Sequence, residues 1–365
     1  MENYTKYKIS TYILALLLFV IIMYVFFINE TRVNDSFVKN NSLSAVGHNE
    51  NNKEVLKLRD LLVNNNQSFY DRIKVFLNKT DSLPMNKSDT IVFKAAEECY
   101  FGPHEAFQIT KDGNFIIGTD YPSRFIAKFS KKGNFIKKFG NEGRGPGEYT
   151  APRFVDIAGD TVFCYDSELQ KIILYTLNGD YIDQYITGQP IFPDDFEVIK
   201  NNKNIVFYNV FSLDKNHIIS LFSIPEKGNK LNFMGEYGEM DRVNRVSCLF
   251  KIPGMTLTPY DYIVTTSPQI FGFEVFNTLG ERIVTTKNET ESFLKPLKKI
   301  SDEEYHDDSK LRRLFANHSR HRFIDYLGKG VVGLSVENPK RNPADRSETI
   351  PFYYTFWTID GDYLG

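Results

Sequence analysis

Residues 149–185, YTAPRFVDIAGDTVFCYDSELQKIILYTLNGDYIDQY, contain four short runs of aliphatic and aromatic residues, at 153–157, 161–165, 171–175 and 181–185. Ala158-Gly159-Asp160 separates the first pair and Leu177-Asn178-Gly179 the last. β-Branched and aromatic side chains fit a pleated, half-buried surface. A polar residue next to Gly between two such runs marks a tight hairpin, because the turn needs positive φ. The stretch therefore predicts four antiparallel strands in meander order, with 153–157 innermost.

The hairpin between the third and fourth runs recurs along the chain. Its copies are Lys132-Gly133-Asn134-Phe135-Ile136, Asn178-Gly179-Asp180-Tyr181-Ile182, Lys227-Gly228-Asn229-Lys230-Leu231, Leu279-Gly280-Glu281-Arg282-Ile283 and Asp360-Gly361-Asp362-Tyr363-Leu364. Successive turn glycines stand 46, 49, 52 and 81 residues apart. A period of roughly 40–50 residues with several strands per unit is that of propeller blades. The long last gap holds residues 289–317, where Leu294, Leu297, Ile300, Tyr305, Leu311, Leu314 and Phe315 recur near helical spacing. Ser301-Asp302-Glu303-Glu304 supplies a helix start, so an inserted helical hairpin is expected before the fifth blade. The fold class is all-β: a β-propeller over residues 88–365, with five blades visible.

Phe139-Gly140-Asn141-Glu142-Gly143-Arg144-Gly145-Pro146-Gly147-Glu148-Tyr149, followed by Pro152, resembles the glycine-rich inter-blade linker of NHL-type propellers. From about residue 90 onward the chain is similar to the exported six-bladed propeller proteins of unknown function found in the phylum Bacteroidota. The resemblance implies six blades and an extracytoplasmic location, and says nothing of activity. Two departures from that pattern stand out: the chain carries a long apolar run in place of a lipobox cysteine, and five hairpins rather than six are visible. Residues 90–95 could close the ring as a strand of the last blade. Either five blades close it, or a sixth is missing from a shortened chain; the second is favoured because an open ring would expose strand edges.

Ahead of the propeller, residues 12–28, YILALLLFVIIMYVFFI, are apolar and uncharged. As a helix they span ~25 Å, near the short end of what crosses a bilayer. Lys6 and Lys8 precede the run, and Glu30 and Arg32 follow it, so the positive-inside rule leaves residues 1–11 in the cytoplasm. An uncleaved signal anchor is expected, with a single pass through the inner membrane and the propeller in the periplasm. A cleaved signal peptide is the alternative. Residues 29–87 read as a linker and a helical segment, in which Leu56, Leu61, Leu62, Phe69, Ile73, Phe76 and Leu77 suggest one or two amphipathic helices that form a stalk or pack on the domain.

The net charge of −2 argues against a nucleic-acid partner. Cys99, Cys164 and Cys248 are widely spaced and form no zinc motif. The pair His318-x-x-His321 near Asp307-Asp308 is poorly spaced for a metal, so neither metal nor cofactor is expected. No P-loop, GxSxG motif or Ser/His/Asp order is present.

In a propeller, the outer-to-inner connections and the loops between second and third strands open on one face. Those loops carry His104, Tyr121, Arg124, Arg144, Arg153, Arg245, Arg320 and His321, together with Arg242, Arg341 and Arg346. Arg presents a planar fork of donors suited to carboxylate, phosphate or sulfate. The expectation is an anion-binding mouth for a glycan or protein ligand; the competing reading pairs each Arg with an acid such as Glu142, Glu148, Asp241 or Asp345. Overall, the sequence favours a membrane-anchored binding scaffold. A lyase or hydrolase working in the central funnel is the alternative, and self-association through the anchor and residues 54–78 a third.

Overall fold

The computed structural model of the chain describes residues 53–77, 91–94, 99–101, 105–119, 123–201, 203–208, 217–239, 254–266, 271–286, parts of 300–314, 318–337 and 352–364. Four four-stranded antiparallel sheets and one of three strands follow one another. Blade 1 holds β1 (Glu105–Ile109), β2 (Phe115–Thr119), β3 (Phe125–Phe129) and β4 (Phe135–Phe139). A linker with the short parallel pair β5 (Asn141–Glu142) and β6 (Glu148–Tyr149) leads to blade 2. That blade is β7 (Pro152–Ala158), β8 (Thr161–Asp166), β9 (Lys171–Thr176) and β10 (Tyr181–Ile186), the four runs read from the sequence.

Blade 3 is β11 (Asp195–Val198), β12 (Ile205–Tyr208), β13 (His217–Ser223) and β14 (Asn232–Glu239), and blade 4 is β15 (Met255–Leu257), β16 (Ile263–Thr265), β17 (Glu274–Phe276) and β18 (Arg282–Thr285). Blade 5 has β19 (Arg320–Gly328), β20 (Val331–Glu337) and β21 (Phe352–Thr358), and a single bridge from Trp357 to Tyr363 starts an outer strand. Strands β1, β7, β11, β15 and β19 are neighbours in that order and form the inner wall. The chain is a β-propeller.

Its core lies in the seams between sheets. Ile116, Ile126 and Phe139 of blade 1 meet Val155, Val162, Cys164, Ile173 and Tyr175 of blade 2. Tyr165, Phe163 and Ile172 of blade 2 meet Phe196, Phe207 and Phe222 of blade 3. Each fully buried large apolar side chain contributes about 1.5–3 kcal/mol, so these seams hold the blades in register around the channel.

All five turn glycines have φ between +79 and +105°. At Gly179 the close packing adds a second demand: a Cβ would stand 2.4 Å from the Phe139 ring. Thus the hairpin of one blade receives the end of the previous blade's outer strand. Backbone bonds repeat this relation. The Ile186 N–H donates to Asn229 O at 2.7 Å, and the Lys94 N–H donates to Gly133 O at 2.8 Å. Residues 91–94 therefore stand to blade 1 as the outer strand of blade 2 stands to blade 3. Phe93 sits edge-on to Phe115 and Phe129, at 5.0 and 5.5 Å between centroids, and covers the face of blade 1 turned away from blade 2. The expected six blades appear as five sheets among the described residues, with 91–94 in the position of a further outer strand.

Helix α1 (Lys53–Leu58) runs through a π-type turn (Arg59–Val63) and a 3-10 turn (Asn64–Asn66) into α2 (Gln67–Leu77). Val55, Leu58, Leu62, Phe69 and Tyr70 pack into the core of blades 4 and 5. The Tyr70 hydroxyl contacts Leu62 O and Lys329 O at 2.8 and 2.7 Å, and Arg59 Nε reaches Asp360 at 2.8 Å.

In the inserted segment, Glu304, Ser309–Leu311 and Leu314 are helical. Ser301 Oγ accepts the Glu304 N–H, and the Glu304 carboxylate accepts the Ser301 N–H, a reciprocal capping box. The expected anchor at 12–28 lies outside the described residues; among those described, no helix is long and apolar enough to cross a membrane. Cys99 and Cys164 are buried free thiols, and Cys248 is outside the described residues.

Candidate binding site at the channel mouth

The inner strands all run the same way, so their first residues gather at one end of the channel. Arg153 near the start of β7, Asp194 and Asp195 at the start of β11 and Arg320 at the start of β19 share that end. Antiparallel pairing brings Arg124, just before β3, to the same side.

The predicted cationic residues divide sharply here. Arg124 pairs with Glu142 at 3.0 Å, both exposed, so its charge is answered within the chain. Arg144 is exposed on the linker. Beside it, Glu148 folds back to accept the Gly145 N–H at 2.7 Å, and the Lys171 ammonium donates to Gly145 O at 3.2 Å. Arg153 is half-buried, with its guanidinium carbon 5.3 Å from the centre of the Phe154 ring. Among the described residues neither Arg144 nor Arg153 has an ion-pair partner.

His321 does not belong to the mouth. It is fully buried in the seam between blades 4 and 5, stacked on Phe271 at 5.8 Å. The Gly272 N–H donates to its Nε2 at 3.4 Å, which leaves Nδ1 to donate to Ser335 O at 3.3 Å. Burial under the Phe271 ring of blade 4 accounts for the difference from the sequence expectation. His104, Tyr121, Arg242, Arg245, Arg341 and Arg346 lie outside the described residues, as does the side chain of Arg320.

The sequence reading missed the acids of the inner strands. Asp156 on β7 accepts hydrogen bonds at 2.7 Å from its neighbour Ile157 N–H and from Val198 N–H on β11. Asp195 on β11 accepts the Met255 N–H of β15 at 3.1 Å. Glu197 on β11 and Asp325 on β19 extend the series. Burial raises the pKa of Asp156 and Asp195, and raises that of Glu197 further with help from the charges of Asp156 and Asp195. Asp325 is pushed up to about 7, by burial first and the Asp195 charge second. The channel wall thus carries acids whose pKa values burial raises. The legible signal was the alternation of acids with apolar residues in Val155-Asp156-Ile157, Asp195-Phe196-Glu197-Val198 and Ile324-Asp325-Tyr326.

Asp194 differs from the others. It is 5% exposed, and neither carboxylate oxygen has a hydrogen-bond partner among the described residues. Burial pushes its pKa up to about 7, against the opposing pull of Arg153. Among the described residues no cluster of three or more His, Cys, Asp or Glu side chains is arranged to hold a metal. A separate open cleft of about 440 Å³ lies on the outer rim between blades 2 and 3, lined by residues such as Gln189, Lys230 and Phe233.

Comparison with known families matches residues 77–262 to the model of a 6-bladed beta-propeller family, DUF5128. The chain belongs to this family. Two solved structures share its propeller fold. One is a Bacteroides fragilis NCTC 9343 protein described as exported, with TM-score 0.51 and 11% identity, covering 74% of this chain and 73% of that one. The other is a DUF4221 family member from Bacteroides vulgatus ATCC 8482, with TM-score 0.52 and 13% identity, covering 74% and 82%. At these identities the likeness concerns the fold alone. No curated protein matches the sequence.

Proposed function

We propose that this family member is a binding scaffold outside the cytoplasm, held at the inner membrane by a helix over residues 12–28, with the inner-strand mouth as its ligand seat. The observation that carries the reading is Arg153: its guanidinium stands at the mouth over Phe154 without an ion-pair partner among the described residues. With Arg144 exposed on the linker that leads into β7, the mouth suits a ligand bearing a carboxylate or other anion, such as an acidic glycan or a peptide carboxylate. The basic residues before the apolar run support the placement, as does the exported Bacteroides fragilis protein of the same fold.

Equilibrium binding of the full chain in detergent to carboxylate-bearing glycans and peptides tests the seat. Arg153→Gln and Arg144→Gln are expected to weaken binding about tenfold each; unchanged affinity for every ligand found defeats the anion reading. Protease treatment of spheroplasts tests the placement, since a periplasmic propeller is cut without lysis.

A propeller lyase or hydrolase is the second reading. It is favoured by the raised pKa values of Asp325 and the Asp156–Asp195–Glu197 group, since a general acid must keep its proton near neutrality. Asp156 and Asp195 are, however, already engaged with backbone amides of the next blade, which favours binding over turnover. Ligand breakdown that survives Arg153→Gln but is abolished by Asp325→Asn would favour the enzyme.

A further inference from the structure

The mouth reading leaves the unpartnered carboxylate of Asp194 without a role. A buried carboxylate with no donor is costly, by several kcal/mol in general, so a fold retains one where something outside the chain completes it. Asp194 is held in place by its own N–H, which donates to Tyr208 O at 3.0 Å. It directly precedes β11, two residues before Phe196. Phe196 packs in the seam between blades 2 and 3. There Phe154, Tyr165 and Phe196 form a stacked column, with centroids 6.5 and 6.3 Å apart and planes tilted by 21 and 20°. Arg153 lies over the Phe154 end of that column. Arg153 thus sits on this column, and Asp194 is within reach of its charge at the adjoining start of β11, yet the two form no ion pair.

Two opposite charges that feel each other and have no ion-pair partner, at the starts of adjoining inner strands, suit a molecule that carries both complementary charges close together. Resting on the mouth reading above, we propose that the channel mouth at the starts of β7 and β11 binds the zwitterionic head of a free α-amino acid, its ammonium on Asp194 and its carboxylate on Arg153. The ammonium supplies three donors to an oxygen pair that has none, and the guanidinium fork donates to a planar carboxylate. A simple anion leaves Asp194 buried and unanswered. A metal cation would find a single free carboxylate.

The test uses the full chain in detergent, with the common amino acids screened by thermal shift and the best binder measured by calorimetry. That amino acid is expected to bind about tenfold more tightly than its N-acetyl form, which lacks the ammonium, and than its amide, which lacks the carboxylate. In Asp194→Asn the amino acid and its N-acetyl form are expected to bind alike. In Arg153→Gln the amino acid and its amide are expected to bind alike. Asp194→Asn is also expected to raise the melting temperature of the free protein, because an unanswered buried charge is removed. Equal binding of the N-acetyl form to the unaltered chain overturns the ligand class and leaves the anion-binding mouth intact. Binding of no amino acid, or a lowered melting temperature in Asp194→Asn, overturns the proposal, the latter by showing that Asp194 serves Arg153 as an internal partner.

Discussion

Asp156 on β7 accepts a 2.7 Å hydrogen bond from the amide of Val198 on β11, and so a side chain of one blade completes the backbone of the next. Asp195 repeats the arrangement toward Met255 of blade 4 at 3.1 Å. Both amides lie at the inner wall, where the sheet edge has no further strand to pair with. A buried donor left unsatisfied costs about 1–3 kcal/mol. Asp156→Ala is therefore expected to lower the stability of the chain by about that amount in urea unfolding. Asp156→Asn, which keeps an acceptor, should lose less. Equal losses would show that charge, not the bond to Val198, matters there.

The raised acids make stability depend on pH in a defined direction. Asp194 and Asp325 titrate near 7 in the folded chain and near 3.9 when unfolded. Between those values the folded chain holds protons that the unfolded chain has released. Their contribution is fully present below about pH 4 and is lost as pH rises through about 7. The urea midpoint should fall between pH 5 and pH 7.5, and Asp325→Asn should flatten that slope. A midpoint that climbs across the same interval would contradict the assignment.

Arg59 and Asp360 tie the helical segment to the last hairpin at 2.8 Å, with the Asp360 side chain only 5% exposed. Asp360 also accepts a hydrogen bond from the Thr358 hydroxyl. Asp360→Ala is expected to cost about 1–3 kcal/mol and to speed proteolysis within residues 53–77. Arg59→Ala should cost less, and the double variant less than the sum, because the two changes remove one shared bond.

Two turn glycines separate backbone strain from packing. Gly179 and Gly228 sit at φ of +82 and +93°, yet an added Cβ meets the Phe139 ring at 2.4 Å in the first and nothing within 4 Å in the second. Gly228→Ala should cost about 1–2 kcal/mol, from the left-handed backbone alone. Gly179→Ala should cost about 1–3 kcal/mol more, because fully buried Phe139 must move. Melting temperatures of the two variants give the comparison. Equal losses would mean that the blade 1–blade 2 seam yields easily at Phe139.

Local interactions explain how much of this was legible in the sequence. The hairpins of blades 1 to 5 follow from polar-Gly corners between pleat-forming runs. The start of the inserted helix follows from Ser301 and Glu304, three residues apart. Such features involve neighbours in the chain, so composition and spacing expose them. The pairing of Arg124 with Glu142 was foreseeable in the same way, since the two flank the β3–β4 hairpin.

The site depended on distant neighbours. Asp156 finds its donor in Val198, 42 positions away, and nothing in either segment announces the other until two blades are laid side by side. His321 looked like a rim residue and is a seam residue, because Phe271 arrives from another blade to cover it. Arg153 and Asp194 become a pair of unanswered charges only when β7 and β11 start at the same end of the channel. The sequence by itself determined the strands, their turns and the repeating sheet, because these are written in a period of two and in the φ demands of glycine. Which charges are buried, which are paired and which await a ligand was decided by the tertiary structure, because burial and Coulomb interaction act through space between blades rather than along the chain.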